Sequence, residues 1–411
     1  MDTGELKKYI KGDRIIWAVL IALSCLSLLI VYSSTGALAY RKADGNTTHY
    51  FLRQLFFQGV GYSAIIIMLN YIPVKIYNRL ANGAYVFAII VVCLGMAVGR
   101  EGDGTGRTIP LGFASFQPAE IAKVAIILWV ARLLANNQKD PRLLRIAFTK
   151  IIIGISIICS LILLVNFSSA ALLFATTVIM LFVGRVHWKY LVSLLIAGAG
   201  LVVIMYFAAP YLPDKGKLGR FQTIRGRIDK FINPETEAEA KKGLSQDDYA
   251  MIAIHRGGIA GVGAGKSKIS NFMPSAYNDF IFSIIIEEYG LIGGIGVPLL
   301  FIIFLTRGGI IIRQCNRTFP TFLATGAVSI IILQAVLNMA VSAGAIPVTG
   351  QPLPWVSLGG TSQIFTAITF GLLLSVSSEI DKEAQKEVEE NFNPDGVLPD
   401  EDIALIKNEN G

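Results

Sequence analysis

The sequence predicts an all-α, polytopic integral membrane protein with ten transmembrane helices, both termini cytoplasmic, and one large extracytoplasmic loop between the seventh and eighth helices. Three observations carry this reading. Of 411 residues, 53% are hydrophobic and 16% charged, where an ordinary soluble domain has about 25% charged. The apolar residues fall in long runs bounded by charge, Pro or Gly, and a spanning helix needs roughly 20 of them. Lys and Arg then collect in alternate short loops, as the positive-inside rule requires of cytoplasmic ones. So much apolar sequence leaves no material for a large cytosolic catalytic domain.

The chain opens with a short tail, residues 1–14, which holds three acids and has no small-residue cleavage site after the first apolar run. It is expected to be a retained cytoplasmic tail and not a signal peptide. Spans follow at 15–33, 54–72, 80–98, 117–135, 147–165, 167–184 and 189–209. With the N-terminus inside, cytoplasmic loops gather Lys75 and Arg79, Arg132, Lys139, Arg142, Arg145 and Lys150, Arg185 and Lys189, then Arg307, Arg313 and Arg317. The opposite short loops hold Arg41, Lys42, Arg53, Arg100 and Arg107. Residues 210–278 form the long exterior loop, exempt from this count by its length. Spans at 279–305, 320–342 and 361–378 complete a membrane domain of residues 15–378.

From Glu379 to Gly411 there are eleven acids against Lys382, Lys386 and Lys407. Such a tail is expected to be a disordered cytoplasmic extension, either a solvated end or a docking segment. The positive remainder faces anionic lipid head groups. Nucleic acid is not an expected partner, because no basic stripe interleaved with aromatics lies on a soluble domain. Cys25, Cys93, Cys159 and Cys315 lie in or beside apolar runs without CxxC spacing. They read as small buried hydrophobes.

The long exterior loop holds one short helix by its local signals: Ser245 as cap, Asp247 and Asp248 in the first turn, and Gly257-Gly258 as the stop. AGVGAGKS, Ala260 to Ser267, then imitates a phosphate-binding loop with Ala in place of the first glycine. A Walker loop sits in a βαβ unit, which is absent from this sequence pattern. Gly261, Gly263 and Gly265 would still let backbone approach a ligand, with Lys266 and Ser267 near an anionic group; a plain flexible connector is the alternative.

Asp279 stands at the mouth of the eighth span. A carboxylate between exterior water and low-dielectric protein is placed to have a raised pKa and to accept a proton from a sugar hydroxyl, or simply to cap the helix. Glu287 and Glu288 would lie roughly 12 to 13 Å deeper on a regular helix, about 80° and 180° around it from Asp279. All three could face one pocket only if Gly290, Gly293, Gly294 and Pro298 distort the helix. Buried carboxylates need partners, and Lys123 on the fourth span is the expected counter-charge. Its alternative is a local pair with Glu120, three residues away. Arg107 on the exterior face suits bidentate phosphate binding. The uncharged segment IPVTGQPLPWVSLGGTS, with three prolines, is expected to be a partly embedded loop lining a cavity, with Trp355 at the membrane interface.

These segments resemble the SEDS family (shape, elongation, division and sporulation), to which FtsW, RodA and SpoVE belong. The resemblance rests on VYSS at Val31–Ser34, YFLRQ at Tyr50–Gln54, GRTIPLGFASFQPAEIAK at Gly106–Lys123, RIDKFINP at Arg227–Pro234, the glycine pattern at Gly257–Ser267, NDFIFSIIIEEYG at Asn278–Gly290 and PVTGQPLPWVSLGGTS at Pro347–Ser362. Thr108 stands where the family usually has Trp. Asn166-Phe167-Ser168-Ser169-Ala170 replaces the Pro-Asp-x-Gly-Thr of many members, which tips the resemblance toward the division-type FtsW proteins over the elongation-type RodA proteins.

The resemblance implies a ten-span peptidoglycan glycosyltransferase that polymerises lipid II on the outer face of the bacterial cytoplasmic membrane. Asp279 would be the catalytic base. Substrate-binding positions would be Arg107, Gln117, Glu120 and Lys123 on and before the fourth span, and Gln246, Gly263, Gly265 and Ser267 in the long loop. Glu287 and Glu288 on the eighth span, and Ser357, Gly359 and Gly360 in the uncharged loop, complete the set. A divalent cation (Mg or Mn) would be compatible with pyrophosphate departure, although no carboxylate cluster marks a site. Implied partners are lipid II, a class B penicillin-binding protein with transpeptidase activity, and other division proteins. Two other classes remain open at this point: a lipid II flippase or proton-coupled carrier using the intramembrane acids, and a non-catalytic division scaffold.

Overall fold

In the computed structural model, residues 11–36, 38, 47–98, 109–111, 114–213, 219–232, 244–273 and 277–392 are described. Asp13 starts the first helix by accepting the amides of Ile15 and Ile16 at 2.9 and 3.0 Å, which satisfies two donors that a helix N-terminus leaves open. The elements run α1 (Arg14–Ser34), α2 (Thr47–Tyr71), α3 (Val74–Val98), β1 (Ile109–Leu111), β2 (Ala114–Phe116), α4 (Pro118–Asn137), α5 (Pro141–Leu163) and α6 (Phe167–Val183). They continue with α7 (Trp188–Ala208), α8 (Gly219–Ile232), α9 (Gln246–Gly257), α10 (Ile281–Gln314), α11 (Thr318–Ser342) and α12 (Thr361–Phe392). The protein is a polytopic helical bundle. The all-α expectation needs one addition, the short antiparallel β1–β2 hairpin that pairs Ile109 with Phe116.

Each of the ten predicted spans coincides with one helix, and among the described residues eight helices are long and apolar enough to cross a bilayer. The other two have visible reasons for falling short. α4 carries Glu120, Lys123 and Arg132, and α6 has only 17 residues. Both are inner helices: α4 packs on α3, α5, α6, α11 and α12, and α6 on α5 and α11. A helix shielded by neighbours need not present a lipid-compatible surface.

Small residues set the close approaches, as expected where helices pack in lipid. Gly154 of α5 abuts the Trp129 indole of α4, and Gly326 of α11 abuts Ile127 of α4 and Met180 of α6. α7 stands at the edge of the bundle, with only Leu191 and Met205 buried.

Two expectations are corrected. Residues 379–392, read as part of a disordered tail, continue α12 as helix to Phe392, and Arg317 holds Glu379 and Glu383 at 3.2 and 2.8 Å. Residues 393–411 lie outside the described ones. Cys25 and Cys93 are exposed on outward helix faces, not buried, while Cys159 and Cys315 are half-buried. Within residues 210–278, α9 forms with the predicted cap and stop: Ser245 N–H donates to Asp248 Oδ2 at 2.8 Å, and Gly258 ends the helix at φ +52°. α8, over the RIDKF stretch, is an addition to that reading.

Candidate active site

The uncharged loop from Ala343 to Gly360 returns between α11 and α12 without regular secondary structure. Such backbone must find other partners for its polar groups, and helix side chains supply them. Arg227 Nη1 donates to Val348 O at 2.8 Å, Ser168 Oγ to Thr349 O at 2.6 Å, and Asn338 Nδ2 to Gln351 O at 2.8 Å. Gln334 Nε2 donates to Pro352 O at 3.0 Å and Ser27 Oγ to Val356 O at 2.8 Å. The loop is thus embedded, as its composition predicted.

Trp355 is placed otherwise than expected. It is 2% exposed, wedged between α1, α2 and α12 at φ +67°, and its indole N–H donates to Ser24 Oγ at 2.6 Å. Tyr62 meets it edge-on at 5.5 Å. An indole donor finds a buried acceptor as readily as an interfacial one, so Trp355 is a plug that locks the loop into the core and not an interface anchor.

This loop and α11 position Asp279. Asn338 Nδ2 donates to the Asp279 carbonyl at 2.9 Å, Ser357 Oγ to the Asn278 carbonyl at 2.7 Å, and Leu358 N–H to Tyr277 O at 3.0 Å. Asp279 precedes α10, which begins at Ile281, and it is half-buried. Its carboxylate acts electrostatically on Arg227 of α8. Burial lowers the Arg227 guanidinium pKa from its ordinary value, and the Asp279 charge opposes that shift. Arg227 and its neighbour Arg220 are the residues that sequence reasoning passed over. Arg227 stood inside a quoted motif, but nothing local says that α8 brings it to the mouth of α10.

α10 is broken. Gly290 adopts φ +64°, ψ −151°, which frees carbonyls and an amide of the helix. The glycine pattern of the long loop answers them one by one: Val262 N–H donates to Glu287 O at 2.9 Å, Gly263 N–H to Glu288 O at 3.0 Å, and Leu291 N–H to Ile259 O at 3.1 Å. Gly257, Gly261 and Gly290 have no room for a Cβ, because the facing backbones touch there. The segment that imitates a phosphate loop is therefore a backbone splice, and the amide of Gly263 is committed to it. Gly265, at φ +74°, has open space about it.

The break lies after both glutamates, and both carboxylates stay near Ser267 of the glycine segment. Glu287, fully buried, accepts from Arg256 Nη1 of α9 at 3.0 Å, from Lys268 N–H at 3.3 Å, and from Ser267 Oγ. Glu288 turns to α1 and accepts from Ser33 Oγ at 2.8 Å. Its counter-charge expectation is corrected with that of Glu287. Lys123 binds Glu120 Oε1 at 2.8 Å and Gln334 Oε1 at 3.0 Å, which is the local pairing; the cation facing Glu287 is Arg256.

The remaining positions are dispersed. Lys123 and Glu120 border a small cleft with Gln334 and Pro354, so they support the embedded loop from below. Gln117, ahead of α4, faces Gly95 and Asn166 instead. Gln246 opens α9 and is half-buried. Gly359 N–H donates to Gln54 Oε1 at 3.4 Å and Gly360 O accepts Gln363 N–H at 3.3 Å, turns that lead into α12. Arg107 lies outside the described residues, as does Thr108. Among the described residues no three His, Cys, Asp or Glu side chains converge to hold a metal ion; the groups present offer no preformed divalent-cation site.

Fold and site together define a polytopic helical membrane protein with a spliced helix break and an embedded polar loop at one end of the bundle. Residues 13–382 match the family described as "Cell cycle protein", FtsW/RodA/SpoVE, and the chain belongs to that family. It is 33% identical over 379 residues to the probable peptidoglycan glycosyltransferase FtsW of Halorhodospira halophila, spanning 90% of this chain and 91% of the relative. It is 31% identical over 372 residues to the stage V sporulation protein E of Bacillus subtilis, spanning 89% and 96%. Among solved structures it is similar to a chain of a peptidoglycan synthase complex, with TM-score 0.71, 24% identity and coverage of 90% and 98%. It is also similar to the rod shape determining protein RodA of Thermus thermophilus, with TM-score 0.65, 22% identity and the same coverage. These two likenesses are of fold.

Proposed function

We propose that this protein is a peptidoglycan glycosyltransferase that polymerises lipid II, with ten spans, both termini in the bacterial cytoplasm, and Asp279 at the outer face of the cytoplasmic membrane. One observation carries the reading: Asp279 is held through backbone bonds from Asn338 and, by way of Asn278, from Ser357, with the cationic Arg227 within electrostatic reach of its carboxylate. A base at a helix mouth, fixed from both sides, is pre-oriented for proton abstraction.

The carboxylate accepts the proton of the acceptor GlcNAc 4-hydroxyl as that oxygen attacks the anomeric carbon of the lipid-linked donor. The bond from that carbon to the pyrophosphate breaks, undecaprenyl pyrophosphate departs, and inversion yields a β-1,4 linkage. Arg227 and Arg220 supply positive charge on this side of the bundle, where a leaving pyrophosphate gains negative charge. Ser267 and Lys123, bound to Glu287 and Glu120, act through the scaffold. Septal synthesis during division is the proposed setting, supported by the FtsW relatives, and a class B penicillin-binding protein is the proposed transpeptidase partner.

The broken α10 with two buried glutamates favours one second reading, a lipid II carrier, because discontinuous helices and intramembrane acids mark transport sites. One experiment separates the two. The protein is purified with its penicillin-binding partner and given lipid II. Wild type is expected to make glycan strands and Asp279→Asn to lose at least 100-fold in rate, the low end of general-base contributions. Equal polymerisation by both would remove Asp279 from the reaction; translocation of lipid II in vesicles without polymer would establish the carrier.

A further inference from the structure

At the opposite end of the bundle, about 30 Å from Pro118 along α4, the ends of α4 to α7 enclose a cleft of about 880 Å³. Pockets of roughly 300–1,000 Å³ hold small ligands. Lys139, Arg145, Arg185, His187 and Lys189 line it, and none of the described lining residues is an acid. The nearest acid in sequence, Asp140, is turned into the N-terminus of α5, where Oδ1 accepts Arg142 N–H at 2.8 Å. Below the cations the wall is apolar, made by Leu144, Phe148 and Tyr190.

A second, independent feature lies in the backbone. α6 ends in a Schellman turn, with Val186 N–H on Leu181 O at 3.2 Å and Arg185 N–H on Phe182 O at 3.1 Å. The residue at the left-handed position of such a turn is usually glycine. Here it is Arg185, at φ +59°, a conformation unfavourable for any residue with a Cβ. Non-glycine strain of this kind gathers at ligand sites, and the Arg185 side chain borders the cleft.

The third feature concerns what lies outside. α5 and α7 meet through Phe148 and Tyr190, ring centres 5.3 Å apart. Beyond that contact both helices leave large apolar side chains uncovered, Ile153 and Ile157 on one, Val192, Leu195 and Ile196 on the other. Cations above an apolar wall, at the ends of two helices whose outer faces are apolar, complement a molecule with a negative head and acyl chains. We infer that this cleft binds the phosphate head group of an anionic phospholipid, its chains lying along α5 and α7. The site itself stands on these residues; its assignment to the cytoplasmic leaflet rests on the orientation proposed above.

The test uses the full-length protein in a neutral detergent, titrated with dioleoylphosphatidylglycerol, dioleoylphosphatidylcholine or inorganic phosphate, with bound lipid read by native mass spectrometry. Phosphatidylglycerol is expected to bind at least tenfold more tightly than phosphatidylcholine, and inorganic phosphate not to compete. The triple variant Arg145→Gln/Arg185→Gln/Lys189→Gln is expected to lose affinity on the order of 100-fold, from three head-group charges. Arg185→Gly, which relieves the backbone and so is not at risk of misfolding, should lose about fivefold, one charge's share. A control with the same charge change at the same end of the bundle, Lys75→Gln/Arg79→Gln/Arg313→Gln, should stay within about threefold of wild type. Equal binding of the two lipids, or equal loss in the control, would overturn the site. Competition by inorganic phosphate would overturn the lipid as its ligand. None of these readouts depends on glycosyl transfer.

Discussion

Gly290→Ala tests the splice between α10 and the glycine segment directly. A Cβ at this position would enter the space held by the Ile259 carbonyl and the Gly261 amide, and the backbone sits at φ +64°. The conformation alone costs a non-glycine residue about 1–3 kcal/mol. Relief of the clash requires the two backbones to separate, which breaks Leu291 N–H to Ile259 O and loosens the bonds from Val262 and Gly263. Each inner polar group left unpaired costs about 1–3 kcal/mol. The total comes to about 3 to 9 kcal/mol, which in a chain of this size lowers the melting temperature by on the order of 10 °C. Thermal unfolding in detergent measures the loss, and hydrogen exchange localises it to the peptides that carry Val262, Gly263 and Leu291. Gly296→Ala is the control on the same helix. Nothing lies within 4 Å of its Cβ position, and alanine there should stabilise by about 0.5–1 kcal/mol. Wild-type stability and unchanged exchange in Gly290→Ala would refute the splice.

Asn338→Ala removes the donor shared by Asp279 O and Gln351 O; we expect a loss of about 1–3 kcal/mol and a fall in polymerisation rate with little change in lipid II binding, read by steady-state kinetics. Arg256→Leu leaves the fully buried Glu287 without its cation, and should cost about 3 kcal/mol in thermal unfolding, at the lower end for a broken buried pair because Arg256 is one-third exposed. Adding Glu287→Met to that variant should recover part of the loss, whereas strict additivity would argue against the pair. At α9, burial pushes the Asp247 carboxyl up, but hydrogen bonds from Lys230 and Ser245 outweigh it and hold the carboxyl below its usual range. A depressed carboxyl contributes stability above its unfolded pKa of about 3.9 and loses it as pH falls through the lower folded value. The protection factors of the α9 amides, with the pH dependence of intrinsic exchange divided out, should therefore fall on acidification below about pH 4, and Asp247→Asn should flatten that dependence.

The membrane class, the ten apolar segments, the cap and stop of α9 and the place of Asp279 at a helix mouth were all legible in the sequence, because each rests on signals within one turn or one span. Apolar run length, a Ser-Asp cap, a Gly-Gly stop and a carboxylate at a helix mouth are local quantities. Pairing across the bundle was not legible. Lys123 had three chemically reasonable acids to choose from, and only the approach of α11 put Gln334 beside it with Glu120. Glu287 found Arg256 because the glycine splice lays α9 along α10. Trp355 reads as an interface residue by type, yet the embedded loop carries it into the core against Tyr62. Residue type and spacing determine which groups need a partner in a low-dielectric interior. Which partner each receives is decided by helix neighbours, and these depend on contacts between segments far apart in the chain.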